Sequence, residues 1–71
     1  MIPMALLATG EVGEIVDVIG GPAAARAEDM GLRAGRRVEM LANDAGPVLV
    51  KVDESRIAVD RGVAMRIRVR T

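Results

Sequence analysis

The sequence predicts an all-β protein: a small β-barrel of about five strands with one short α-helix inserted after the first strand. Three observations carry this expectation. Apolar and polar residues alternate in short runs through the second half of the chain, which is the period of a half-buried strand. Clusters of Gly, Asp and Asn separate those runs at hairpin spacing. The one stretch of good helix formers, Ala23 to Met30, lies between Gly20-Gly21-Pro22 and Gly31. At 71 residues the chain makes one domain, residues 1–71.

Met1 to Ala8 is the longest uncharged apolar run. It is far shorter than the about 20 residues that cross a bilayer as a helix. It also lacks the basic start of a secretory signal. It therefore reads as the first core-covering segment, and the chain as soluble or peripheral through a partner. Thr9-Gly10-Glu11 forms a turn. Val12 to Ile19 is a strand by its β-branched content, although Val12, Ile15 and Val18 fall out of strict alternation. A bulge near Val16-Asp17 reconciles the phase. Pro22 suits the first helical turn, Gly31 is the left-handed stop, and packing of Ala27 and Met30 onto the sheet holds a helix too short to stand alone.

From Arg36 the alternation is clear. Val38, Met40 and Ala42 face one way, and Arg37, Glu39 and Leu41 the other. Asn43-Asp44-Ala45-Gly46 turns into a strand with Val48, Val50 and Val52 inward. Asp53-Glu54-Ser55 turns again, Ile57 and Val59 continue a short strand, and Asp60-Arg61-Gly62 forms one 3₁₀ turn. The last run places Met65, Ile67 and Val69 inward and Arg66, Arg68 and Arg70 outward. A meander after an inserted helix, with a single 3₁₀ turn before the last strand, is the layout of an SH3-like barrel. Such closure protects the edges of a Val-rich sheet.

The composition narrows function as well as fold. The chain is 51% hydrophobic, yet it has no His, no Cys and no aromatic residue. Zinc and iron sites draw mainly on imidazole and thiolate. General bases near neutral pH are most often His. Pro-rich peptides and single-stranded bases are read on aromatic platforms. Ser55 has no His to activate it, and Thr9 lies in a turn. The glycines around residues 10–21 lack the Gly-Lys-Ser/Thr of a phosphate loop. The acidic pairs Glu28-Asp29 and Asp53-Glu54 do not bring further oxygen donors to one point. Ten basic residues balance ten acidic ones, which argues against a nucleic-acid binder driven by bulk charge. The absence of Cys fits a reducing compartment. The expectation is a non-enzymatic protein-binding module without cofactor or metal site, nucleic-acid partner or membrane insertion.

Particular blocks of residues resemble a known family. Leu7-Ala8-Thr9-Gly10-Glu11 is followed by Arg26 and then Met30-Gly31-Leu32-Arg33-Ala34-Gly35. Gly46-Pro47-Val48-Leu49-Val50 precedes Arg56-Ile57-Ala58-Val59, and Ala64 precedes Ile67 and Val69. In this order and spacing the chain resembles the FeoA family from about Leu6 to Val69. Two departures stand out: Ala27 where a Leu is common, and a turn at Asp53-Glu54-Ser55 without the frequent Gly. The resemblance implies an SH3-like barrel and a cytosolic accessory role in bacterial ferrous iron uptake. It further implies action on FeoB, the membrane transporter with a GTPase domain. It also implies an alternative, a regulatory module akin to the C-terminal barrel of iron-dependent repressors.

For partner contact the helix segment is the first candidate, through Arg26, Ala27, Met30 and Leu32. The alternative for Met30 and Leu32 is a plug over the barrel core. The stripe Arg66, Arg68 and Arg70 is the second candidate, as a contact for an acidic surface or phosphate. A solvated outer face explains the same alternation. Outward Val16, Leu41 and Leu49 would form a patch for self-association.

Overall fold

Strand formers and turn residues produce six strands, one more than expected. A computed structural model describes residues 1–71. The strands are β1 (Ile2–Pro3), β2 (Val12–Val18), β3 (Arg37–Ala42), β4 (Val48–Val52), β5 (Ser55–Val59) and β6 (Ile67–Arg70). Helix α1 (Gly21–Asp29) follows β2, and a single helical turn, α2 (Arg61–Ala64), precedes β6. A 3₁₀ turn at Met4–Leu6 follows β1. The sheet is antiparallel throughout, in the order β1-β6-β2-β3-β4-β5.

Both irregularities in the apolar pattern have a structural cause. In β2, Gly13 and Ile15 occupy the core face while Val12 is exposed. The register then shifts between Ile15 and Asp17, the expected bulge, so that Val18 returns to pack against the core. A second shift, between Met40 and Ala42, makes Leu41 the extra residue of β3. Leu41, like Val16 and Leu49, is half-buried. The large apolar side chains that do face solvent are Met1, Leu6, Val12, Ile19 and Met65. Met65 corrects the expected phase. Residues 61–64 wind into a helical turn in place of a 3₁₀ turn, so Val63 and Ala64 turn inward and Met65 is 47% exposed.

The core is a single cluster of 16 buried residues, all aliphatic or Met. Met4, Leu7, Ile15, Leu32, Met40 and Ile67 are its largest members. With no aromatic ring available, volume is filled by branched side chains and by unbranched Met, which adapts to irregular gaps.

Strands β1 and β5 are the two ends of the sheet and do not pair with each other. Side chains close the structure there. The Asn43 amide donates through Nδ2 to the carbonyls of Ala5 and Leu7, both at 2.8 Å. Its Oδ1 accepts from Arg61 Nη2 at 2.8 Å, while Arg61 Nε donates to the Gly46 carbonyl at 2.9 Å. One asparagine and one arginine thus tie the 3₁₀ turn, the β3–β4 connection and α2 together. The amide orientation is fixed by chemistry, because the reverse would set Oδ1 against two carbonyl oxygens.

Candidate functional site

Helix α1 is positioned by its ends. Gly20, at φ +97°, turns the chain out of β2, and Pro22 sits in the first helical turn. At the other end Gly31 adopts φ +85°. There its N–H donates to the Glu28 carbonyl at 3.0 Å, and the Leu32 N–H donates to the Ala27 carbonyl at 2.8 Å. This is the paired-bond Schellman stop, with the expected apolar contact between its flanking residues. Ala27 and Leu32 are both 0% exposed. The Met-Gly-Leu block is therefore a device that ends the helix and plants Leu32 in the core.

That geometry divides the helix candidates. Ala27 and Leu32 belong to the core, so neither side chain is presented to a partner. They anchor the helix instead. Met30 is half-buried and packs against the core from its edge, and Arg26 is exposed.

The arginine stripe is divided too. Arg68 donates through Nε to Asp17 Oδ1 at 2.7 Å and pairs again through Nη2 with Asp17 Oδ2. The hydrogen bond from Arg68, reinforced by its charge, holds the Asp17 carboxyl below its ordinary value of 3.8 against opposing desolvation. Arg70 reaches Glu14 at 3.5 Å, and Arg36 pairs with Asp53 across the β3 side of the sheet. These are the chain's three ion pairs, and Arg26 and Arg66 take part in none. Arg66 also lies before β6 rather than within it.

Arg26 and Arg66 line the same groove, of about 480 Å³, between α1 and α2. Gly20, Pro22, Ala23 and Asp60 contribute to its walls. A Cβ on Gly20 would stand 3.2 Å from Arg66 Nη1, so the guanidinium lies against the open side of that glycine. Asp60 does not neutralise either cation. Its Oδ2 accepts from the Gly62 N–H at 3.0 Å and caps α2. The Ile19 N–H donates to the Arg66 carbonyl at 2.8 Å, which brings exposed Ile19 and Met65 to the region of Arg66. Sequence reasoning missed this groove because it read Asp60-Arg61-Gly62 as a connector. Asp60 at a helix N-cap was the available signal.

A FeoA domain family model matches residues 2–71. The chain belongs to the FeoA family. A relative from Methanocaldococcus jannaschii, provisionally named Fe(2+) transport protein A, is 34% identical over 97% of this chain and 85% of that protein. A crystal structure of an iron uptake regulatory protein, FeoA, has a TM-score of 0.89 at 31% identity, over 97% of this chain and 93% of that one. Stenotrophomonas maltophilia FeoA complexed with zinc, described as a procaryotic SH3 domain protein, has a TM-score of 0.85 at 23% identity, over 99% and 91% of the two chains. That similarity establishes the SH3-like fold alone. So does the likeness to a manganese-dependent transcriptional repressor, with a TM-score of 0.86 at 18% identity, over 94% of this chain and 39% of that one.

The zinc of the Stenotrophomonas structure belongs to that protein, and the donor chemistry of this chain differs from what such an ion needs. The chain has neither His nor Cys, and no three of its carboxylates converge on a point that would hold a metal ion. The residues present do not fit a resident transition ion. No helix of the chain is long and apolar enough to cross a membrane.

Proposed function

We propose that this FeoA-family chain works by docking, without catalysis, on the cytosolic GTPase-bearing part of a FeoB-type transporter, and that it supports or regulates ferrous iron uptake there. The observation that supports this reading is the family match over residues 2–71, together with a 34% identical relative named for Fe(2+) transport. The inventory of side chains supports binding over chemistry. A hydrolytic or transfer site needs a nucleophile beside a base, and Ser55 has no imidazole to serve it. The iron is the transporter's cargo in this reading, and the place of action is the cytoplasm. Residues 1–71 act as one domain, and α1 is its contact face. Arg26 and Met30 reach the partner from the helix, Arg66 reaches it from across the groove, and Ala27 and Leu32 keep the helix seated.

The test is a pull-down with the purified cytosolic domain of the transporter, with and without guanine nucleotide. Co-purification in at least one nucleotide state is expected, and no association in either state rejects the reading. Met30→Asp is expected to weaken association about tenfold or more while far-UV circular dichroism stays native. Unchanged affinity in a folded variant moves the contact face off α1.

A further inference from the structure

We infer that the groove between α1 and α2 takes an acidic peptide segment of the partner, its carboxylates held by Arg26 and Arg66 and its aliphatic side chains resting on Ile19 and Met65. The inference rests on the docking reading above and specifies the chemistry of the segment that docks.

Ion pairing decides which cations remain available. The β6 stripe looks basic along the chain, but Arg68 and Arg70 are matched by Asp17 and Glu14 on the neighbouring strand. Arg66 lies outside that ladder. It shares a groove with Arg26, also free of any carboxylate, and the one acid in the lining, Asp60, is engaged at the α2 N-cap. Two guanidiniums on one groove are a forked donor set suited to carboxylates, which they bind in bidentate fashion. They are also underneutralised in the free protein, so a complementary acid gains attraction that an already paired arginine cannot offer.

The surroundings choose among anions. Ile19 is 48% and Met65 47% exposed, a share of apolar surface that a peptide would cover. A nucleic acid would find no aromatic side chain for stacking on its bases. An acidic segment suits the two guanidiniums of the groove, and aliphatic residues beside its acids would reach Ile19 and Met65, which flank Arg66 outside the groove lining.

The experiment measures affinity of the intact chain for the full-length transporter in detergent, by biolayer interferometry. Four proteins are compared: wild type, Arg26→Ala/Arg66→Ala, Arg26→Glu/Arg66→Glu, and Arg56→Glu as a charge control on exposed β5. The groove predicts a loss of about tenfold for the alanine pair, a larger loss for the glutamate pair, and a change within about twofold for Arg56→Glu. Wild-type affinity in both groove variants overturns the inference while leaving docking intact. If the wild-type chain itself fails to bind, the docking reading falls, and a second measurement judges the groove alone. A glutamate-rich peptide carrying one leucine is titrated to millimolar concentration into ¹⁵N-labelled protein. Shifts confined to the amides of Gly20, Gly62 and Arg66, absent from Arg26→Glu/Arg66→Glu, support the groove. No shifts, or equal shifts with inorganic phosphate alone, overturn it.

Discussion

Replacing Asn43 tests how this sheet is shut. The side chain supplies two donors to backbone carbonyls and one acceptor to Arg61, all at 2.8 Å. Neutral hydrogen bonds of this kind contribute about 1 kcal/mol each, and one to a charged group somewhat more. Arg61 keeps its bond to the Gly46 carbonyl, so only part of its contribution is lost. Asn43→Ala is therefore expected to cost about 2–3 kcal/mol, or about 10–20 °C in Tm for a domain of this size. Asn43→Asp sharpens the reasoning. It preserves shape and adds attraction to Arg61, but it turns the donor facing Ala5 and Leu7 into an oxygen. If donor count governs the clasp, Asn43→Asp is destabilised at pH 7 about as much as the alanine variant, and part of the loss returns at low pH, where the acid regains one proton. The chain has no Trp, Tyr or Phe, so urea unfolding must be followed by far-UV circular dichroism. A wild-type midpoint for Asn43→Asp at pH 7 would refute the donor argument, because Arg61 attraction would then outweigh two carbonyl contacts.

Other outcomes follow from the same geometry. Gly31→Ala forces a Cβ into φ +85° and should lower stability by about 1–2 kcal/mol in urea titrations. Met40→Ala empties a fully buried site and should cost about 2–5 kcal/mol, enough to leave much of so small a domain unfolded at 37 °C in a thermal melt. Asp17 has a folded-state pKa below its ordinary 3.8, so its contribution is present above that value and is lost as pH falls through the depressed one. Asp17→Asn should flatten the acid limb of a stability-versus-pH curve and leave its alkaline side unchanged; an unaltered acid limb would contradict this.

Much of the architecture was legible in the chain. Alternation marked β3, β4 and β6, and the broken phase of Val12, Ile15 and Val18 pointed to the bulge found at Ile15/Asp17. Strand β1 escaped notice because two residues, one of them Pro3, carry no periodicity. The site was harder to read. Helical spacing pointed Ala27 at the sheet, yet Ala27 was also read as a partner contact beside Arg26; Leu32 lies beyond the helix stop, where spacing does not say whether it faces the core or solvent. Likewise, alternation shows that Arg66, Arg68 and Arg70 are spaced alike, yet Glu14 and Asp17 become their neighbours only when β2 pairs with β6. Asn43 read as turn chemistry, since its partners Ala5 and Leu7 lie more than 30 positions away.

The position of β6 has a consequence for how the molecule comes into being. It follows every other strand along the chain, yet in the sheet it is flanked on both sides, by β1 and by β2. Until Ile67–Arg70 emerges and slots in, the opening residues have no ladder to join and Ile15 no opposite neighbour in Val69. Assembly of the sheet must therefore wait for β6, and a chain that has not yet added it would present an unfinished aliphatic sheet to chaperones and proteases.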